Sequence, residues 1–300
     1  MVKVPIYDIR GDIVMDGISS VTVIDSIDDE SDALIVSCSK SNADIEKKTK
    51  VDVFLGLNDQ KWDCGSFVLQ SIIYTNDGEQ LLFTSASFSD TMKKKRTISY
   101  QKLNLKELVA KVAKRHGLKI KCDMEQFLEH VDQKNESDMA LLKRYADRYN
   151  AIFNVKKGTL IFLSKRSEEL PMFTVFTGDV ESYQIARTNK HYYSSVVVKY
   201  HNYKTNKTEE ITVGKGSPVY TIEEIQKSQA EAKDIGIAKL DKLAAMTTSV
   251  TIVTEGANIV AGGKIDIVGF GKVDGRHLIT NVRHIIREKY TTEITIEKAV

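Results

Sequence analysis

The chain has 300 residues, 42% hydrophobic and 28% charged, a balance usual for a globular protein of two or three compact units. Its 43 basic and 41 acidic side chains leave a formal charge of +2, which gives no overall electrostatic case for nucleic acid or an anionic membrane as partner. No apolar run approaches a membrane span, and the opening MVKVPIYDIRGDIV lacks the layout of a signal peptide; assembly in the cytoplasm without a membrane anchor is expected.

Residues 1–96 read as a first β-barrel. Short alternating segments run over 18–24, 33–37, 51–57, 66–74 and 80–88, bounded by Asn, Asp or Gly, as antiparallel strands usually are. An acidic turn, Asp28-Asp29-Glu30-Ser31-Asp32, separates the first two. Asn76-Asp77-Gly78 predicts a hairpin between the last two. The basic run Lys93-Lys94-Lys95-Arg96 reads as a solvated connector, with DNA phosphates or an acidic neighbouring subunit as alternatives.

Residues 97–170 read as an α+β insert. Asn104 and Glu107 have capping-box spacing, Leu105, Leu108, Val109, Val112 and Ala113 share one helical face, and Gly117 supplies the stop. A second helix starts near Ser137, with Asp138 favouring the dipole in its first turn, a stripe of Met139, Leu142, Ala146 and Tyr149, and Asn150 at its end. A hairpin over 152–155 and 159–163 turns at Lys157-Gly158.

Residues 171–300 read as a second β-barrel, with strands expected over 172–176, 194–203, 209–214 and four more from Val250 to Ala299. A long helix at about 221–245 interrupts them, opened by Thr221 and Glu224 in capping-box spacing.

The two barrel regions repeat one another. Lys50-VDVFLGL lines up with Lys264-IDIVGFG, so that Asp52 and Asp266 coincide. Cys64-Gly65-SFVLQSIIY lines up with Asp274-Gly275-RHLITNVRH, and QLLFTSAS with TTEITIEK. Matching order, spacing and loop glycines favour duplication over chance likeness among alternating segments. The expected fold is mainly β with an α+β insert: two related β-barrels whose six copies form a pseudo-hexameric ring in a trimer. The ring closes if barrel one of each chain docks head-to-tail on barrel two of the next. Asp52 and Asp266 are the assembly-interface candidates.

Four stretches carry a resemblance: DCGSFVLQSIIY (63–74), KKKRTISYQKLNLKELVAKVAKRHGLKI (93–120), LEHVDQKNESDMALLKRYADRYNAIFNVKKGTLIF (128–162) and AGGKIDIVGFGKVDGRHLITNVRHIIREKYTTEITIE (261–297). In this order they resemble the late control protein D family of phage tails, the hub proteins of contractile baseplates, related to the hub portion of type VI secretion spike proteins and to tailocins. The resemblance implies a homotrimer under the tail tube that adapts its six-fold symmetry to a three-fold central spike. The implied partners are the chain itself, the spike, tube or tube-initiator proteins and other baseplate subunits, and the implied place is the virion baseplate. Extra spike or lytic domains, which some relatives carry, are not expected in this chain.

Chemistry is weakly signalled. Cys38, Cys64 and Cys122 are odd in number with no C-x-x-C pair, so they read as buried or half-buried hydrophobes, not a disulfide framework or zinc ligands. On a continuous strand His277 and His284 would face opposite sides, and His116 reads as a helix-end residue with no second ligand at helical spacing. His130, His191 and His201 read as surface or interface residues. Glu125, Glu129 and Asp132 read as a solvated helix or loop face, and VGFGKVDG (268–275) as a turn between strands, not a phosphate cradle. The aromatics of 191–204 suit a barrel or subunit interface. No catalytic residue, cofactor or metal ligand is nominated. The alternative functions are a cell-wall hydrolase, or a carbohydrate-binding tail module using Tyr192 and Tyr193.

Overall fold

The computed structural model describes residues 3–27, 32–85, 90–190 and 192–298. Asp28, Asp29, Glu30 and Ser31 of the acidic turn, residues 86–88 of an expected strand, and His191 lie outside the described residues.

The first β unit contains β1 (Pro5–Gly11), β2 (Met15–Asp16), β3 (Ser20–Ser26), β4 (Ala33–Cys38), β5 (Lys40–Ser41), β6 (Lys50–Leu57), β7 (Gln60–Thr75) and β8 (Gly78–Ser85). Alternation along β3, β4 and β8 sends Val21, Val23, Leu34, Val36, Leu81 and Phe83 into one core. Asn76 and Asp77 make the expected turn, with Thr75 opposite Gly78. Gly78 is required there: φ is +133°, and a Cβ would stand 2.3 Å from the Cys38 carbonyl oxygen.

The insert holds α1 (Asp90–Lys93), β9 (Lys95–Asn104), α2 (Leu105–Arg115), β10 (Lys119–Cys122), β11 (Phe127–Ser137), α3 (Asp138–Tyr149), β12 (Ala151–Lys156) and β13 (Thr159–Ser164). The capping box of α2 is formed: Glu107 N–H donates to Asn104 Oδ1 at 2.8 Å, and Asn104 N–H to Glu107 Oε2 at 2.9 Å. Ser137 caps α3, and Asn150 ends it in the left-handed conformation. The buried stripes of α2 and α3 share one core with Val155, Leu160 and Phe162. Glu129 and Asp132 lie on β11, not on a helix or loop, because 127–137 pairs with β9.

After the insert come β14 (Met172–Phe176), β15 (Val180–Arg187), β16 (Ser195–Asn202), β17 (Lys207–Gly214), β18 (Val219–Gln226), α4 (Gln229–Ala245), β19 (Thr248–Glu255), β20 (Lys264–Val268), β21 (Gly275–Ile286) and β22 (Tyr290–Lys298). Two expectations are corrected here. The long helix starts at Gln229, not near Thr221: residues 219–226 form a strand, and the cap is Ser228, whose Oγ accepts from Glu231 N–H at 3.2 Å. The strands expected over 194–203 and 209–214 do not join the main sheet. They form a separate sheet, β17-β16-β18, packed under α4 around Val196, Val198, Ala232 and Leu243.

Among the described residues the main sheet has twelve strands in two runs of the same design. The first unit is ordered β1-β6-β7-β8-β4-β3 and the second β14-β20-β21-β22-β19-β15, so each strand has a counterpart at the same place in order and in sequence. Registers agree as well: Asp52 faces Ser66 as Asp266 faces Arg276, and Leu34 faces Phe83 as Val250 faces Ile296. The third repeated strand matches two residues further along than the sequence alignment, Phe83 corresponding to Ile296, which preserves the inward face. One difference remains, since β1 runs antiparallel to β6 but β14 parallel to β20. The β16–α4 layer occupies the connection that in the first unit is the short link from β3 to β4.

Candidate assembly surface

Asp52 and Asp266 take equivalent, outward positions on β6 and β20. Asp52 is exposed and accepts a hydrogen bond from Ser66 Oγ, while Asp266 accepts from Arg276 Nε at 3.2 Å and Nη2 at 3.3 Å. Each is thus engaged across its own hairpin, and the two share a face through the repeat, not through contact.

The units meet through β3 and β21, which pair antiparallel from Asn281 opposite Ser26 to Ile286 opposite Val21. On its inward face this junction is buried, with Val21 and Val23 on β3 and His284 and Ile286 on β21. The counterparts of these two strands, β15 and the outer half of β7, lack such a neighbour among the described residues. β15 ends the strand order, and β6 pairs with β7 only as far as Val68. Ile73 is 50%, Tyr74 71% and Tyr183 47% exposed there. β15 was not among the strands expected from sequence.

The insert is organised around Asp138, which is fully buried. Its carboxylate accepts from Arg115 Nη1 at 2.6 Å, His116 Nε2 at 2.8 Å and Gln133 Nε2 at 2.9 Å, and Arg96 Nε lies 3.3 Å away. Burial pushes the carboxyl up, but the hydrogen bonds from Arg115, Gln133 and His116 outweigh it and hold it below the usual range. Arg96 is therefore no part of a solvated connector. It sits on β9 beside the buried Asp138 carboxylate.

Between the insert and the β units lies a cavity of about 270 Å³, lined in part by Trp62, Cys64, Ile152, Lys156, Leu163 and His284. Lys156 forms an ion pair with Asp25, whose Oδ2 also accepts from Ala261 N–H at 3.0 Å. Burial raises the neighbouring Asp32 to about 6 and pushes the Cys64 thiol up to about 12, which leaves that sulfur a poor nucleophile. His284 donates from Nε2 to the Ile259 carbonyl at 3.1 Å and accepts at Nδ1 from Tyr290 Oη at 2.8 Å. Burial lowers it to about 4. With both nitrogens occupied, it is a structural residue.

The expectation that His277 and His284 face opposite sides is corrected. A bulge between Ile279 and Asn281 restores the phase, so both are buried on the same side, about 20 Å apart along the strand. His277 bonds the Gly275 carbonyl at 3.0 Å. His130 pairs with Asp132 at 2.8 Å, and His201 stands edge-on to Tyr203. In the VGFGKVDG stretch, the Gly269 and Phe270 amides donate to the Asp274 carboxylate, so the loop closes on its own acid. Tyr193 packs edge-on against Tyr220 while Tyr192 is exposed. Cys38 is buried, and Cys64 and Cys122 are half-buried; all are free thiols.

A family model for the phage tail baseplate hub (GPD) matches residues 85–290. The probable baseplate hub protein of Escherichia phage 186 is 31% identical over 135 residues, 42% of this chain and 35% of that protein. That of Escherichia phage P2 is 22% identical over 97% of this chain and 90% of that protein. The 43 kDa tail protein of prophage MuSo2 from Shewanella oneidensis shares the fold with a TM-score of 0.71 at 12% identity, over 97% of both chains. An Escherichia coli type VI secretion component, described as structurally similar to T4 bacteriophage tail proteins, matches with a TM-score of 0.63 at 13% identity, over 97% of this chain and 76% of that one.

Proposed function

Because the chain belongs to the phage tail baseplate hub (GPD) family, we propose that it works as a homotrimer whose six related β units form a ring, adapting a six-fold tail tube to a three-fold central spike. The observation that carries this reading is the repeat: two units of one strand order and register, fused edge to edge in a single chain. Three such chains present six similar surfaces to the tube side while the assembly keeps three-fold symmetry. The working division is a first barrel over 1–96, an insert over 97–170 and a second barrel over 171–300, the last carrying the β16–α4 layer.

The role is mechanical. Three groups with chemical potential, the half-buried Cys64 and the buried His284 and Asp138, are held by desolvation or by hydrogen bonds in structural settings. The partners are a second and third copy, the spike, tube or tube-initiator proteins and other baseplate subunits, joined in the bacterial cytoplasm before the virion is complete.

The test is the solution mass by light scattering, with and without the co-expressed spike. A trimer in either sample is expected, and a monomer in both overturns the ring. Turnover of purified peptidoglycan by this chain alone would overturn the mechanical reading.

A further inference from the structure

The repeat specifies how the ring closes, at the level of individual residues. Within the chain, β21 pairs with β3 in a fixed register: Asn281 opposite Ser26, Arg283 opposite Ile24, Ile285 opposite Thr22. The registers of the two units map each of these residues onto a counterpart. β21 corresponds to β7, so that Asn281, Arg283 and Ile285 become Ser71, Ile73 and Thr75. β3 corresponds to β15 through their pairings with β4 and β19, so that Ile24 and Thr22 become Ala186 and Gln184, and continuing the same offset past the paired stretch carries Ser26 to Thr188, just beyond β15.

We infer that the outer edge of β7 pairs antiparallel with the free edge of β15 in a second copy of this chain, with Ser71 opposite Thr188 of the partner subunit, Ile73 opposite Ala186 of the partner subunit and Thr75 opposite Gln184 of the partner subunit. The inference rests on the trimer reading and adds the contact that makes it.

Three observations favour this occupant. Among the described residues both edges are open along the same stretch that is paired at the internal junction, and open strand edges carry unpaired N–H and C=O groups that seek a partner strand. The exposure differs in the sense that closure requires: Val21 is 0% exposed and its counterpart Tyr183 47%, His284 is 4% exposed and its counterpart Tyr74 71%. The inward faces also agree, since Tyr183 already stands edge-on to Phe270 and Ile185 packs on the second core, as Val21 and Val23 pack in the first. Each chain offers one edge of each kind, so copies join head-to-tail, and the eight-strand path β7-β8-β4-β3-β21-β22-β19-β15 continues from chain to chain.

Cysteine pairs test the register. Residues opposite one another on antiparallel strands have Cα atoms about 4.5–5.5 Å apart, within disulfide range. Ile73→Cys with Ala186→Cys, and separately Thr75→Cys with Gln184→Cys, are expected to give covalent oligomers up to trimer on denaturing gels, reversed by reductant. The pair Ile73→Cys with Gln184→Cys, two residues out of register, is expected to give none, as is the parent with its three native cysteines. All four positions are on the open edges, and mass is measured on the same samples before oxidation, with the spike co-expressed. A trimeric mass without the matched cross-links, or with only the shifted one, overturns the register and leaves the trimer standing. A monomeric mass overturns the trimer, and this contact with it.

Discussion

Gln70 and Thr280 occupy the same bulge in the two halves of the chain: the register slips between Leu69 and Ser71 against β8, and between Ile279 and Asn281 against β22. A bulge costs a ladder pairing and twists its strand, so its recurrence at the same place belongs to the repeated design and not to local noise. It lies where β7 and β21 leave β6 and β20, so that the edge those strands had occupied becomes available. In β21 that edge takes β3; in β7 it stays open among the described residues.

The glycines that precede these bulges are expected to be as constrained as one another. Gly65 has φ +105° and Gly275 +117°, and a Cβ on either meets nothing within 4 Å. Gly65→Ala, Gly275→Ala and Gly275→Val should each lose about 1–3 kcal/mol from backbone strain alone. Gly178→Ala, also in open space but with no positive φ, should stay within about 1 kcal/mol of the parent or gain slightly. Urea midpoints decide it, and a stable Gly275→Val protein would show that the turn relaxes to another conformation.

Removing the Asp138 carboxylate should cost more than any surface change in the insert. Asp138→Ala leaves Arg115 and Gln133 facing a buried gap, and breaking such a buried pair costs roughly 3–5 kcal/mol. Because the folded carboxyl is held low, its contribution is present above the ordinary carboxylate range and fades only as the pH falls below it. Denaturation by urea, with amide exchange followed in α2 and α3, should show early opening of the insert. A loss below about 1 kcal/mol would mean that the cluster is not what holds these helices.

What the sequence made legible was local. The α2 capping box, the Asn150 stop and the repeated hairpins all rest on residues within a few positions of each other, and the structure has each of them. The Asp138 cluster was not legible, because Arg96, Arg115, His116 and Gln133 reach it from three separate elements. The start of α4 was misplaced for a specific reason: Thr221/Glu224 and Ser228/Glu231 share the same spacing, and only the alternation of VYTIEEIQ marks the first as a strand. β15 was missed because nearly all of VESYQIAR is exposed in a single chain, so a core-directed reading finds no stripe in it. The residues that a partner would bury are the ones that one chain leaves unexplained.

His284 gives the fold a dependence on pH. Its folded value of about 4 lies below the ordinary 6.5, so the unfolded chain takes up a proton first as pH falls, and the stabilisation from the neutral ring is lost between about 6.5 and 4. The shift is worth roughly 3 kcal/mol. Asp32, raised to about 6, acts in the opposite sense, since the folded state takes up its proton first as pH falls from there. The clean readout is therefore the gap between parent and His284→Gln. The variant should be less stable at pH 7.5, having lost the fit to Tyr290 and Ile259, and the gap should narrow toward pH 4.5. A gap independent of pH would mean that His284 titrates alike in both states.

Asp52 and Asp266 remain the sharpest test of whether outward charge contributes to assembly beyond the strand edges. Both lie away from the open halves of β7 and β15, on faces where a reversed charge disturbs only an exposed cross-strand contact. Asp52→Lys and Asp266→Lys should therefore fold with near-parent denaturation midpoints. Asp266→Lys would set a second cation beside Arg276, and Asp52→Lys one near Arg10, so each would turn a mixed surface positive at the same point of the repeat. If neighbouring chains or tube subunits approach that face, both variants should assemble less well, seen as a lower trimer fraction by light scattering and fewer complete particles. Because the two positions are equivalent in the repeat but not in the trimer, impairment by only one would identify which half docks. Normal particles from both would remove the acids from the contact set and leave closure to the β7 and β15 edges alone.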